Sequence, residues 1–181
     1  METTSGRGDP DPEPDPESVA RTIALRRLAV APQTRAQLDD AMRRRGVADD
    51  VRHTVLHRFD EVGLIDDAMF AAAWVESRHA GRGLAKRALA FELRRRGVEP
   101  AVVDDAVSAL APEQEEATAR ALVAARLAGT RGLDPAARTR RLAGMLARKG
   151  YPPGLAFRVV RDALAAEGIG DEHLADEPVS D

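Results

Sequence analysis

A helix–glycine–helix pattern occurs three times in this chain, and it limits the fold more than any other feature. The first copy runs Leu38, Met42, Arg43-Arg44-Arg45, Gly46, Val47, then Val51, Val55, Leu56 and Phe59. The second runs Leu89, Leu93, Arg94-Arg95-Arg96, Gly97, Val98, then Val102, Ala106, Val107 and Leu110. The third runs Leu142, Leu146, Ala147-Arg148-Lys149, Gly150, Tyr151, then Leu155, Val159, Val160 and Ala163. Two apolar residues four apart share one helix face, and cations suit the negative end of a helix. Glycine then supplies the left-handed residue that stops it. The segment after each glycine carries a single apolar stripe, the mark of a second helix packed on the first.

A further helix precedes each pair. Ser18 is expected to cap one through Ala31, with Val19, Ile23 and Leu28 among its apolar positions. Asp66 or Asp67 is expected to cap one through His79, burying Phe70, Ala71, Trp74 and Val75. Pro112 suits the first turn of a third, through Ala128. The expected fold is therefore all-α: a tandem array of three three-helix repeats, about nine helices, elongated and curved, with disordered acidic tails. The divisions are 1–17 (tail), 18–64, 65–111, 112–165 and 166–181 (tail). One such repeat buries too little surface to be secure alone, so neighbours are expected to share a core.

Composition agrees with helix. Aromatic residues are 3% of the chain, too few for an ordinary β-sandwich, and there is no cysteine to build disulfides or thiolate metal sites. No apolar run reaches the roughly 20 residues of a membrane span, and the acidic, proline-rich start is unlike a secretory signal, so a cytoplasmic monomer with no membrane partner is expected. The net charge of −3 conceals a division. Residues 1–17 hold six acids against Arg7 alone, and 165–181 hold six acids and no Lys or Arg, which leaves a basic body between two acidic ends. A basic body attracts polyanions or an acidic protein face.

The cations recurring with the helices are the candidate partner-binding residues: Arg43, Arg44, Arg45, Arg78, Arg82, Lys86, Arg94, Arg95, Arg96, Arg148 and Lys149. Helix capping accounts for one or two cations per helix better than for a triplet, and a periodic basic stripe would follow an extended anionic partner. Other constellations are weaker. His53 and His57 stand four apart but lack a third ligand, so a metal is not expected. Asp39-Asp40, Asp49-Asp50, Asp66-Asp67 and Asp104-Asp105 suit helix starts or solvent. Trp74 and Tyr151 are expected to pack in the core. Gly81-Arg82-Gly83 opens a helix, where anions can bind, but lacks the Walker lysine spacing. No catalytic set and no cofactor site is evident.

The central segment carries a more specific signal. Gly63-Leu64-Ile65-Asp66-Asp67-Ala68-Met69-Phe70-Ala71 leads to Trp74-Val75-Glu76-Ser77-Arg78, then Gly81-Arg82-Gly83, Leu89 and Glu92-Leu93-Arg94-Arg95-Arg96-Gly97-Val98. This run resembles the signature of RecX proteins, and the resemblance extends over about residues 18–164. It implies three tandem three-helix repeats and a regulator, not an enzyme. Its partner would be the recombinase RecA and the RecA–DNA filament, bound in the deep filament groove. There it would restrain strand exchange, coprotease action and ATP hydrolysis, by capping growth or promoting filament loss, and so regulate DNA repair. It also implies direct DNA binding to a varying degree, which the acidic tails and modestly basic body are expected to keep weak here. A helix-turn-helix-like array acting on DNA without RecA, and an adaptor for another complex, are the competing readings.

Overall fold

The computed structural model describes residues 15–174, with side-chain positions to residue 168. The extended lead-in expected over 1–17 falls outside them as far as residue 14, as does the end of the acidic stretch from 175. Among the described residues there are nine α-helices, one 3₁₀ turn and no strand. The chain divides into two compact units, one ending at Asp66 and one beginning at Asp67.

The first unit holds one three-helix repeat: α1 (Pro16–Leu28), α2 (Arg35–Arg43) and α3 (Asp49–Glu61). The cap of α1 is Asp15, not Ser18: the Asp15 carboxylate accepts the Ser18 N–H at 3.1 Å. Pro16 behind it needs no acceptor, so the helix starts three residues earlier than expected. It also ends earlier, at Leu28. Thr34 and Gln37 form a reciprocal capping box at the start of α2, with bonds of 3.1 and 3.2 Å. Ala20, Ala24, Leu38, Met42, Val55, Leu56 and Phe59 make the core, closed by Ile65. Each large apolar side chain so buried is worth about 1.5–3 kcal/mol.

The second unit holds two repeats: α4 (Asp67–Arg82), α5 (Lys86–Arg94) and α6 (Pro100–Ser108), then α7 (Pro112–Leu127), α8 (Pro135–Arg148) and α9 (Pro153–Leu174), with a 3₁₀ turn at Ala128–Thr130. Each repeat has its own core, around Leu89, Leu93 and Val103 in one and Leu142, Leu146 and Val159 in the other. None of the helices is long and apolar enough to cross a membrane among the described residues.

All three pattern glycines end their helices in the same way. The N–H of Gly46, Gly97 and Gly150 returns to the carbonyl three residues back, and the next N–H returns to the one five back, at 2.9–3.3 Å. The residue after glycine (Val47, Val98 or Tyr151) then joins the core beside Met42, Leu93 or Leu146. Gly150 has a second constraint. Its φ is +90°, and a Cβ there would lie 2.6 Å from the Ala88 backbone nitrogen.

Two sequence expectations are corrected. Gly81 and Arg82 belong to the last turn of α4 and do not open a helix; Gly83 leads into the short link to α5. The stretch from 166 does not leave the fold at once: α9 continues to Leu174, and Glu167 accepts from Arg131 at 2.6 Å and pairs with Arg138. Those two guanidiniums, Arg138 first, hold the Glu167 carboxyl below the ordinary glutamate range.

Candidate functional site

Within the second unit, two of the predicted cations converge on one aromatic ring, and a third joins them through a shared carboxylate. Phe70, Trp74 and Arg78 follow at i, i+4 and i+8 on α4, so they share a face. The Phe70 and Trp74 rings stack with centroids 5.7 Å apart. The Arg78 guanidinium lies over the Trp74 ring at 4.1 Å, and Arg96 lies over it at 3.7 Å. Glu92 on α5 completes the cluster. Its carboxylate accepts the Trp74 indole N–H at 2.9 Å and stands 3.8 Å from Arg78 and 3.4 Å from Arg82. Burial, together with Arg78 and Arg95, holds the Arg96 guanidinium below the ordinary arginine value against the opposing pull of Glu92. Trp74 is half-buried. It packs on the core as expected, but it also organises the cations around it.

The remaining predicted residues make other contacts within their own units. Arg94 turns to Asp104 at 3.3 Å, and Arg95 lies over the exposed Phe91 ring at 5.8 Å. Arg43 pairs with Asp40, and Arg44 meets the same carboxylate at 2.5 Å. Arg148 is exposed and lines a small cleft with Arg126, Arg141 and Lys149.

Lys86 and Lys149 serve the junction between the last two repeats. The Lys86 backbone N–H, at the start of α5, donates to Glu115 of α7 at 2.9 Å, and so occupies a helix end whose own cap position is Ala85. The Lys149 ammonium donates to the Arg82 carbonyl at 2.6 Å, and the Lys149 carbonyl accepts the Ala85 N–H at 2.9 Å. The Tyr151 hydroxyl donates to the Gly83 carbonyl at 3.1 Å. His79, buried, holds the Leu84 carbonyl through Nδ1 and the Thr118 hydroxyl through Nε2, both at 2.9 Å. A carbonyl only accepts, so Nδ1 carries a proton and donates it to Leu84. Beside this junction runs a groove of about 1000 Å³, walled by residues such as Val75, Ala121, Leu122 and Ala125, with Arg82 and Lys149 at its rim.

Glu92, Glu115 and His79 are the residues that sequence reasoning missed. Glu92 lay inside the quoted signature, and its i−4 relation to Arg96 was the signal available. Nothing in the sequence joins Glu115 to Lys86. His53 and His57 are both exposed, and His57 stands 3.6 Å from Glu61. Among the described residues no group of three His, Cys, Asp or Glu side chains is placed to hold a metal.

Comparison with known proteins assigns the three repeats separately. Family models for the first, second and third three-helix domains of RecX match residues 20–59, 66–107 and 113–160. The chain is 63% identical over 158 residues to the "Regulatory protein RecX" of Streptomyces lividans, spanning 87% of this chain and 84% of that one. It is 63% identical over 150 residues to the protein of that name from Thermobifida fusca, covering 83% and 81%. To that of Mycolicibacterium smegmatis it is 47% identical, covering 83% and 82%. The crystal structure of RecX from Lactobacillus salivarius superposes with a TM-score of 0.76 at 16% identity, over 82% of this chain and 96% of that one, which shows the shared fold. With its three repeats each matched in order, and with relatives of this identity over most of its length, the chain belongs to the RecX family.

Proposed function

We propose that this chain binds RecA filaments assembled on DNA and restrains their strand exchange, coprotease and ATP-hydrolysing activities, so regulating DNA repair. Family membership supports a regulatory role, as does the name its relatives carry. The observation that carries the proposal is the cluster of Arg78, Arg82 and Arg96 around Trp74, beside an apolar groove that shares Arg82. An aromatic and arginines next to an apolar trough are what a protein-binding hot spot is made of. This reading puts the chain in the cytoplasm with its partner and asks no catalysis of it.

The test is a titration of the chain into DNA-dependent ATP hydrolysis by purified RecA. Inhibition at amounts well below the recombinase is expected if growing ends are capped, and inhibition near equal amounts if the chain lies along the filament. Absence of any effect at every ratio would remove the proposal. Tight, steeply salt-dependent binding to bare DNA, with RecA unaffected, would favour the DNA-binding alternative.

A further inference from the structure

A second cationic feature lies in the first unit, apart from the Trp74 cluster. The last turn of α1 and the end of α2 close a cleft of about 430 Å³ lined by Ile23, Arg26, Arg27, Ala41, Arg44 and Arg45. Four of its six lining residues are arginines. Arg44 is held by Asp40, and Arg27 donates to the Gln33 side chain at 3.3 Å. Arg26 and Arg45 make no ion pair among the described residues and are exposed at the mouth. Ala41 is buried and Ile23 is partly buried, so the wall behind the guanidiniums is apolar.

Like charges gathered in one small cleft repel, and nothing in the packing of α1 on α2 requires them. The buried side chains there are Ala20, Ala24, Leu38 and Met42, none of which the arginines satisfy. Helix ends favour a cation or two in the last turn. They do not require that two helices direct their cations into the same hollow. Each guanidinium offers five N–H donors in a planar fork. A carboxylate has two oxygens to meet them, whereas a phosphate has more oxygens and a larger charge.

We propose that the α1–α2 cleft is a binding site for a phosphate group, carried by a polyphosphate or by the backbone of a nucleic acid. Arg26 and Arg45 supply the free guanidiniums, Arg27 and Arg44 the flanking ones, and Ile23 and Ala41 the dry wall. The proposal does not rest on the recombinase reading, because its test contains no RecA.

The experiment is calorimetric titration of the full chain with inorganic tripolyphosphate at low salt. Saturable binding is expected. The double variant Arg26→Glu/Arg45→Glu should weaken it by about tenfold or more, since each lost charge-assisted contact is among the stronger polar interactions. Arg21→Glu/Arg140→Glu carries the same change in net charge on exposed arginines outside the cleft and should bind nearly as the parent does. Arg26→Gln/Arg45→Gln, introducing no new charge, should show an intermediate loss and guards against misfolding of the Glu variant. A short oligothymidylate that displaces tripolyphosphate would identify a nucleic-acid backbone as the source of the phosphate. Failure to displace it would identify a free polyphosphate, and both results uphold the site. No saturable binding, or an equal loss in the control variant, would overturn the proposal.

Discussion

The indole N–H of Trp74 donates to the Glu92 carboxylate at 2.9 Å, and that carboxylate faces both Arg78 and Arg82. Glu92 therefore holds the ring in place and also partly neutralises the cations that a partner would use. The two tasks separate chemically. Glu92→Gln keeps an acceptor for the indole but loses the charge. It should leave tryptophan emission unchanged and strengthen inhibition of RecA severalfold, as Arg78 and Arg82 lose an internal competitor. Glu92→Ala loses both, and should cost about 1–2 kcal/mol and shift the emission of this single tryptophan to the red. Emission spectra, denaturation midpoints and ATP hydrolysis measured on the two variants decide the matter.

The Arg94–Arg96 triplet should divide in the same assays. Arg94 and Arg95 are exposed, and their partners Asp104 and Phe91 are exposed as well. Exposed contacts of those two kinds contribute about 0–1 kcal/mol each. Arg94→Glu/Arg95→Glu should therefore keep its helicity and thermal midpoint while its inhibition of RecA weakens. Arg96 covers the Trp74 ring, so Arg96→Glu should lose stability as well, by about 1–2 kcal/mol. Equal stability of the two variants would contradict the contact between Arg96 and Trp74.

The helical repeats were legible in sequence because their cause is local. An apolar pair four apart, cations and a glycine specify a helix end wherever they occur, and Gly46, Gly97 and Gly150 share one hydrogen-bonding pattern as a result. Capping was less legible, since Asp15 and Ser18 are both good caps and only the proline at position 16 favours the first. The contacts that bring the site together were not legible at all. Trp74 and Glu92 are 18 residues apart, and Lys86 and Glu115 are 29 apart. No periodicity within one helix encodes which carboxylate of the next will reach it. The acidic composition after residue 165 suggested a tail. That composition does not reveal that Glu167 meets Arg131 and Arg138, which keeps this part of α9 attached.

Equivalent glycines should respond differently to the same substitution. Gly46 and Gly150 both have positive φ, so alanine at either costs about 1–2 kcal/mol of backbone strain. At Gly46 nothing lies within 4 Å of the added methyl, and the cost should stop there. At Gly150 the methyl would lie 2.6 Å from the Ala88 nitrogen and 2.7 Å from its Cβ. Backbone on both sides has to move, so Gly150→Ala should lose about 3 kcal/mol or more. Urea denaturation of the two variants tests this ordering, and similar losses would mean that the two repeats are less closely apposed at Ala88 than described.

Tyr151 gives the junction a dependence on alkaline pH. Burial, and then the nearby Glu115 carboxylate, push its hydroxyl up to about 12, whereas in the unfolded chain it titrates near 10. The native state thus keeps the proton over a range in which the unfolded state has released it. The stabilisation from the protonated hydroxyl is complete below about pH 10 and is lost as pH rises through about 12. Tyr151→Phe forgoes the hydrogen bond to the Gly83 carbonyl, and should be less stable than the parent by about 1 kcal/mol at pH 8. Phenylalanine does not ionise, so the variant should lose less stability than the parent between pH 10 and 12, and the gap should narrow or reverse. Urea midpoints for both proteins at pH 8, 10 and 11 measure it. A gap that stays constant would show that the phenol does not titrate with folding, and no gap at pH 8 would show that its contact with Gly83 contributes little to holding the two repeats together.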